Sequence, residues 1–301
     1  MPSQTIPQAS RILSEKARHH KNTIIQVKAL PAIPLMLSSI IECANDENSS
    51  ITQLRDLILQ EQAVTAQVLK MANSKFVSQR KKISTVTEAV VTIGFQTVVD
   101  VAVSITLSRS FSQIPVTKEM DLREFWLHTL AAAEAGRLIA KRTNIIEPEV
   151  AYLLGLLHDL GKLIELHVYR SEFEDALFDA RAECKPLHIV ELDAYEYHHG
   201  DAGMWLGEVW NLPDRLQVGM QFHHDPNAII REFRLDAQVA HCANYFAHLV
   251  KLGNSGNPIQ PPVPEEEFTD LGITRHTARM ITADLQKQSR KLGSILHAIQ
   301  L

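Results

Sequence analysis

The sequence predicts an all-α protein built as a bundle of helices. Apolar residues recur at intervals of three and four through most of the long segments, which is the period of an amphipathic helix. Only 12 glycines and 13 prolines interrupt 301 residues, so few positions demand a turn or a break. Hydrophobic residues form 45% of the chain and charged residues 22%, which is enough apolar surface to build a core.

Residues 26–120 form the predicted N-terminal helical part. Its first long apolar pattern is expected to end at Asn73 and Ser74, because both side chains compete for backbone hydrogen bonds and favour turns. The next pattern, residues 83–111, is rich in Val and Thr, as strands often are. Its length without a hairpin signal favours helix, with Gly94 as a break between two helices.

A larger helical part is predicted over residues 121–252. Residues 253–268 are the clearest linker, since their prolines and glycines forbid a continued helix. A polar amphipathic helix follows in residues 269–301, where it would cap the domain or pair with a second copy of the chain. Residues 1–25 are predicted as a helical N-terminal extension.

Charge and cysteine usage narrow the classes of partner and compartment. The chain has 30 basic and 35 acidic residues, so no global positive field recruits nucleic acid or an anionic membrane. Cys43, Cys184 and Cys242 lie far apart without a CxxC pair, which is typical of reduced, mostly buried thiols. No apolar run reaches the roughly 18 residues that a membrane span requires. We therefore expect a cytoplasmic protein with no membrane partner and no direct nucleic-acid partner.

The run LLHDLGK contains the residues best suited to chemistry. His158 and Asp159 are adjacent on a predicted helix, roughly 100° apart around its axis, so both side chains reach one point between their directions. A neutral imidazole and a carboxylate suit a divalent cation such as iron, manganese or zinc, and the carboxylate has two oxygens with which to bridge two ions. Lys162 lies on the same side of the helix, where it would meet a phosphate bound to that metal.

Flanking helices supply further candidate ligands. Glu124 and His128 are spaced four residues apart and share one helical face, and His199 and the doublet His223-His224 follow in later segments. Helical bundles build metal centres in this way, with carboxylate and imidazole side chains converging from several helices.

The order His, His-Asp, Lys, His, His-His resembles that of the HD superfamily of metal-dependent phosphohydrolases, and in finer detail its HDOD branch. The resemblance covers roughly residues 26–250, which is far more specific than an isolated His-Asp pair. It implies an all-helical bundle of HD/HDOD type with a smaller N-terminal helical part, and a bacterial signal-transduction role in which many members have no demonstrated activity. The segments that carry it are LPAIPLMLSSIIE, VLKMANSKF, EAVVTIGFQTVVDVAVS, FWLHTLAAA, AYLLGLLHDLGKLIEL, HHGDAGMWLGEVWNLPDRL and QFHHDP.

The resemblance assigns roles residue by residue. Lys162 becomes the lysine that faces a phosphate, and Asp159 and Lys162 are the catalytic residues if the protein is active. Glu124 matches a carboxylate found four residues before the first histidine in the related HD-GYP phosphodiesterases. The implied metal ligands are His128, His158, Asp159, His199, His223 and His224.

Two departures from the family pattern bear on activity. The final aspartate of the HD pattern falls at Asn244, and an amide oxygen is a weaker, uncharged ligand. No Gly-Tyr-Pro signature follows His223 and His224, which counts against a cyclic dinucleotide phosphodiesterase. The remaining histidines are expected to be structural, apart from His198 and His241, which would at most support a ligand. The structural set is His19, His20, His167, His188, His248, His276 and His297.

These observations favour a regulatory HDOD protein that acts through protein–protein contacts and retains all or part of a metal site. Its partner would be a signalling protein or a second copy of this chain. The alternative is a metal-dependent phosphohydrolase or phosphodiesterase acting on a nucleotide or cyclic dinucleotide, and a third candidate is a sensor that binds a nucleotide without cleaving it. The expected cofactor is a divalent metal, one ion or two, with iron or manganese favoured over zinc or magnesium.

Overall fold

The computed structural model describes residues 13–26, 39–40, 50–74, 82–112, 114 and 117–299. Over these residues the protein consists of helices and connecting turns without a β-strand, which confirms the predicted all-α class. The chain divides into two compact units. The larger contains Met1–Leu30 and Ile114–Gln286, and the smaller contains Pro31–Gln113 and Lys287–Leu301.

The smaller unit contains four described helices besides the end of the last helix of the chain. Two of them begin at capping boxes, in which Ser50 pairs with Gln53 and Thr85 pairs with Glu88. Helices are numbered in chain order, and α1 (Glu15–Gln26) belongs to the larger unit. The four helices of the smaller unit are α2 (Ile51–Leu59), α3 (Gln62–Ala72), α4 (Val86–Ile93) and α5 (Phe95–Ser110).

The two predicted breaks of this region are confirmed. Helix α3 ends at Ala72 and is capped by Asn73. The Asn73 side-chain nitrogen donates to the carbonyls of Leu69 and Ile83, and its side-chain oxygen accepts from the Ile83 amide. Gly94 has φ 88, a left-handed conformation that glycine adopts without strain, and it separates α4 from α5. Among the described helices, no single one is long and apolar enough to cross a membrane. Taken together, the bent pair α4 and α5 has the length and apolar composition of a membrane span.

The larger unit contains α1 and the remaining helices. They are α6 (Leu122–Thr143), α7 (Pro148–Leu157), α8 (Leu160–Val168), α9 (Arg170–Glu183), α10 (Leu187–Tyr195), α11 (His199–Val209), α12 (Asp214–Phe222), α13 (Arg231–Val250), α14 (Glu265–Asp270) and α15 (Arg275–Ala298), with a short 3-10 turn at Pro226–Ala228. The last helix, α15, continues into the smaller unit from Lys287 onward.

Three helices form the centre of the larger unit. Asp121 caps the start of α6, where its carboxylate accepts from the amides of Arg123 and Glu124. Helix α6 packs along α7 and α13. Their facing surfaces are rich in alanine, which lets the helix backbones approach closely. This packing brings the ends of α7 and α12 to one buried region.

Free cysteines occur in different surroundings. Cys242 is buried in α13, as expected, whereas Cys184 is exposed at the end of α9. Cys43 lies outside the described residues. Residues 253–268, predicted as a linker, contain the start of α14 and the fully buried Ser255.

Candidate metal centre

Helix ends position the candidate metal ligands. His158 and Asp159 occupy the turn between α7 and α8 rather than the interior of one helix, because the backbone of Asp159 (φ −101, ψ 4) interrupts the helical path. His199 is the first residue of α11, and His223 and His224 directly follow α12. Gly161 makes this arrangement possible, since a Cβ at that position would lie 1.8 Å from the carbonyl oxygen of His199.

Asp159, His199, His223 and His224 each present a possible ligand atom, and these atoms all lie within 4.8 Å of one another. The Oδ1 atom of Asp159 is 3.4 Å from His199 Nε2 and 3.6 Å from His223 Nε2. The Nε2 atoms of His199 and His224 are 2.8 Å apart. Asp159, His199 and His223 are 0% exposed, whereas His224 is partly exposed.

Backbone contacts fix the orientation of two imidazoles. The Nδ1 atom of His158 donates to the Gly155 carbonyl and that of His223 donates to the Met220 carbonyl, both at 2.8 Å. In a neutral imidazole, a proton on Nδ1 leaves a lone pair on Nε2. Within the described residues, both Nε2 atoms and Asp159 Oδ1 are buried without a hydrogen-bond partner. Buried polar atoms are almost always satisfied, so these atoms fit a bound cation.

Glu191, which the sequence analysis missed, holds His199 in place. One carboxylate oxygen accepts from the Nδ1 atom of His199 at 2.6 Å and from its backbone amide at 3.0 Å. Carboxylates that orient a histidine in this way are typical partners of metal ligands. Burial alone would raise the pKa of Glu191, but the neighbouring His199 lowers it to about 2. Glu191 and His199 lie on different helices, α10 and α11, separated by a turn, so no helical spacing in the sequence predicts their contact.

A second group consists of His128, His158 and Asp159. Here the Oδ2 atom of Asp159 lies 3.3 Å from His158 Nε2 and accepts from Lys162 Nζ at 2.8 Å. Lys162 is 1% exposed and also donates to the carbonyl and hydroxyl oxygens of Ser255, both at 3.2 Å. Burial would raise the pKa of Asp159, but the neighbouring His158 and Lys162 hold it well below its usual value.

Asn244 and His128 form a buried pair. The Asn244 side-chain oxygen lies 3.0 Å from His128 Nε2, where it is placed to accept the ring proton. Burial lowers the pKa of His128 well below its usual value, so the ring is neutral. The structure therefore brings Asn244 next to a predicted ligand, but in a contact that occupies the Nε2 atom of that ligand.

Glu124 is the predicted ligand that the structure does not bring to either group. Its side chain is exposed in the first turn of α6, one turn before His128. Its backbone carbonyl accepts from the Asn254 amide. A role for the Glu124 carboxylate in metal binding stays a prediction that these contacts do not support.

Two histidines expected to be structural contact the cluster. The His188 ring stacks on His224 with centroids 3.9 Å apart, and the His248 ring meets His128 edge-on at 4.7 Å. Burial lowers the pKa of His188 to about 3 and that of His248 to about 4, so both rings are neutral near pH 7. His188 has no helical spacing to a predicted ligand, whereas His248 follows Asn244 by four residues on α13, a spacing that could have signalled its place beside His128.

His198 and His241, expected at most to support a ligand, each make a defined hydrogen bond. His198 Nδ1 accepts from the Gly200 amide and caps α11. His241 Nδ1 lies 2.8 Å from a carboxylate oxygen of Glu267. These two hydrogen bonds stabilise helices next to the cluster, and neither involves a ligand atom of the cluster.

An open groove of about 600 Å³ borders the cluster on the side of His224. Its lining includes His188, His198 and His224 together with Asp201 and Asp225, and it contains no lysine or arginine among its described lining residues. The groove therefore offers a neutral to acidic surface next to the cluster.

Comparison with known proteins identifies the family. Residues 30–226 match the HDOD domain. An uncharacterized protein of Treponema pallidum (strain Nichols) is 22% identical over 224 residues, which is 73% of this chain. This chain spans 42% of the length of that relative.

Three solved structures share the fold. An HDOD domain protein of unknown function from Geobacter sulfurreducens has a TM-score of 0.75 at 21% identity, over 94% of this chain and 99% of its own. A protein from Marinobacter aquaeolei VT8 named for signal transduction gives 0.77 at 19% identity, over 98% of this chain and 68% of its own. A protein from Shewanella amazonensis SB2B named as a phosphohydrolase gives 0.68 at 21% identity, over 93% and 99%. With the family match over most of its length and this shared fold, the chain belongs to the HDOD domain family.

Proposed function

We propose that this protein is a cytoplasmic signalling module that holds a divalent metal ion and acts through protein–protein contacts. The observation that carries the metal site is the pair of buried, unpartnered atoms His223 Nε2 and Asp159 Oδ1. A cation held there satisfies atoms that no described group satisfies, at a place where three helix ends meet. The signalling role rests on membership of the HDOD family and on a structural relative named for signal transduction.

The ion would be held by Asp159, His199, His223 and His224. Three imidazoles and one carboxylate suit iron, manganese or zinc better than magnesium, which prefers oxygen ligands and retained water. When bound, the metal supplies a local positive charge and a Lewis acid. Glu191 keeps the Nδ1 proton on His199, so that the Nε2 atom of His199 is available as a ligand.

The second group favours a single ion over two. The Lys162 ammonium already neutralises Asp159 Oδ2, and the His128 Nε2 atom pairs with Asn244. A second cation would have to displace Lys162 from the carboxylate and would gain an uncharged amide in place of an aspartate.

A metal-dependent phosphohydrolase remains the second candidate, because six ligands that the family resemblance implies are present, with Asn244 in place of the final aspartate, and one structural relative carries that name. Two features of the site count against it. Lys162 is buried and fully engaged by Asp159 and Ser255, so it is not free to meet a phosphate. The groove beside His224 offers acidic and neutral side chains, which do not attract a phosphoester anion.

The metal content of the untreated protein tests this proposal. The full chain, purified without oxygen and in metal-replete medium, should contain about one iron, manganese or zinc ion per protomer by elemental analysis. Asp159→Ala should lose the ion, whereas the matched variant Asp179→Ala, which removes an exposed carboxylate of α9, should keep it. Metal well below one per protomer would refute the metal site.

A panel of nucleotides, cyclic dinucleotides and simple phosphoesters separates the two functions. The signalling proposal expects no metal-dependent hydrolysis above the Asp159→Ala background. Hydrolysis that requires metal and disappears in Asp159→Ala but not in Asp179→Ala would replace the proposal by the phosphohydrolase. Calorimetry with the same nucleotides detects a sensor that binds without cleavage, and light scattering detects self-association.

A further inference from the structure

The main cluster is closed to solvent except near His224. Asp159, His199 and His223 are each 0% exposed, so an ion that reached them from most directions would have to pass between packed helices. His224 is partly exposed and lines the groove of about 600 Å³ described above. The groove therefore opens to solvent beside the partly exposed member of the four ligand residues.

Among the groove residues, His188 has a ring nitrogen without a hydrogen-bond partner among the described residues. His198 caps α11, and the Asp201 carboxylate accepts from the His198 amide and from Gln221. His188, in contrast, stacks on His224, and its Nδ1 atom is buried without a hydrogen-bond partner among the described residues. A neutral imidazole nitrogen in that position is a ligand for transition-metal ions.

Charge at the groove favours cations. Asp201 and Asp225 contribute carboxylates, and no lysine or arginine stands among the described lining residues. An opening lined in this way concentrates positive ions and repels anions. Imidazoles next to carboxylates further select ions such as iron, manganese, cobalt or zinc over magnesium.

We propose that this groove is the route by which a divalent transition-metal ion enters and leaves the centre, and that His188 is a transient ligand that passes the ion to His224. The inference rests on the metal centre proposed above and adds its loading path. His188 lies outside the resident ligand set, so it changes how fast the ion exchanges and not how many ions are held.

The kinetics of Co²⁺ exchange test the route. The full chain is stripped with a chelator and mixed rapidly with Co²⁺, whose visible absorption reports nitrogen and oxygen ligation, and release is followed on mixing with excess chelator. His188→Phe keeps a ring against His224 but removes both nitrogens. The matched control is His276→Phe, which removes an exposed histidine of α15.

Loading and release should each slow by about tenfold or more in His188→Phe, which corresponds to a barrier increase of about 1.4 kcal/mol, with no change in His276→Phe. All three proteins should bind the same amount of Co²⁺ at equilibrium. Ala228→Trp, which fills the groove and leaves every nitrogen in place, should slow loading as well. Circular dichroism shows that each variant is folded, and Ala228→Trp carries the test if His188→Phe is not.

The possible failures are distinguishable. Wild-type exchange rates in both His188→Phe and Ala228→Trp would refute the route while leaving the metal centre intact. Loss of equilibrium Co²⁺ binding in His188→Phe alone would make His188 a resident ligand and refute its transient role. If the wild-type protein binds no Co²⁺, both this inference and the proposed metal centre are refuted.

Discussion

At the scale of single residues, the cluster depends on side chains that hold the ligands in place. One carboxylate oxygen of Glu191 accepts two hydrogen bonds from His199. Lys162 pairs with Asp159 and is itself held by Ser255. Each contact sets the protonation state or the direction of a ligand atom, so each can be tested by a substitution of similar size.

Replacing Glu191 by Gln should weaken metal binding without unfolding the protein. The amide keeps the size of the side chain but removes the charge that stabilises the Nδ1 proton of His199, so metal affinity should fall by about 10- to 100-fold. Competition with a chelator of known affinity measures the change. Glu183→Gln, at an exposed site of α9, is the control. Equal affinities for wild type and Glu191→Gln would show that the pair does not orient a ligand.

Replacing Lys162 by Met should destabilise the metal-free protein more than the metal-bound protein. Breaking a buried ion pair leaves Asp159 uncompensated and typically costs about 3–5 kcal/mol. A bound cation restores part of the compensation, so the metal should raise the melting temperature of Lys162→Met by more than that of wild type. Thermal unfolding with and without Zn²⁺ measures both shifts. A metal-induced shift no larger than in wild type would contradict the electrostatic role given to Lys162.

At the scale of helices, the cluster is built where helix ends meet. Asp159 lies between α7 and α8, His199 begins α11, and His223 follows α12. At a helix end the backbone is held in place by the helix, but it leaves the helical path there. Side chains at helix ends can therefore point in directions that are not available within a continuous helix. The approach of α8 to the start of α11, which Gly161 permits, is therefore part of the site.

Gly161→Ala tests this approach. The new Cβ would meet the His199 carbonyl oxygen, so the two helix ends must separate and His199 must move. We expect a loss of about 1–3 kcal/mol in the free energy of unfolding together with weaker metal binding. Gly293→Ala is the control, because its Cβ would meet nothing within 4 Å on α15, and alanine there should stabilise by about 0.4–1 kcal/mol. Urea unfolding and metal titration measure both. Unchanged metal affinity in Gly161→Ala would refute the role of this contact.

At the scale of the whole molecule, the larger unit contains the cluster and an unusual number of buried neutral histidines. Burial lowers the pKa of His128, His223 and His224 well below the usual value, that of His248 to about 4 and that of His188 to about 3. The pKa of His199 shifts the opposite way: burial lowers it, but Glu191 and Asp159 together raise it above its usual value. The unfolded chain therefore binds more protons than the folded chain below the ordinary histidine pKa.

The metal-free protein should consequently lose stability as the pH falls from about 6.5 toward 4, by about 1.4 kcal/mol per pH unit for each such histidine. The carboxylates Asp159 and Glu191, whose pKa values are lowered, stay ionised across this window and lose their contribution only at more acidic pH. Urea unfolding in the presence of a chelator measures the slope. His248→Phe should flatten it and His276→Phe should not. Equal slopes for wild type and His248→Phe would contradict the assignment.

The sequence by itself determined the helical class, the break at Gly94 and the order of the candidate ligands. These features are local: a period of three and four residues, a turn residue, or a motif in which His158 and Asp159 are neighbours. The same local reasoning placed His158 and Asp159 within one helix, whereas the structure places them in a turn, because packing of α8 against α11 redirects the chain there.

The tertiary structure alone decided which side chains meet. Glu191 reaches His199 across a turn, Ser255 reaches Lys162 from a segment predicted as a linker, and His188 reaches His224 from another helix. Glu124, at helical spacing from His128, stays exposed. Contacts between residues distant in sequence depend on how helices pack, and helix packing leaves no periodic trace at the individual positions that it brings together.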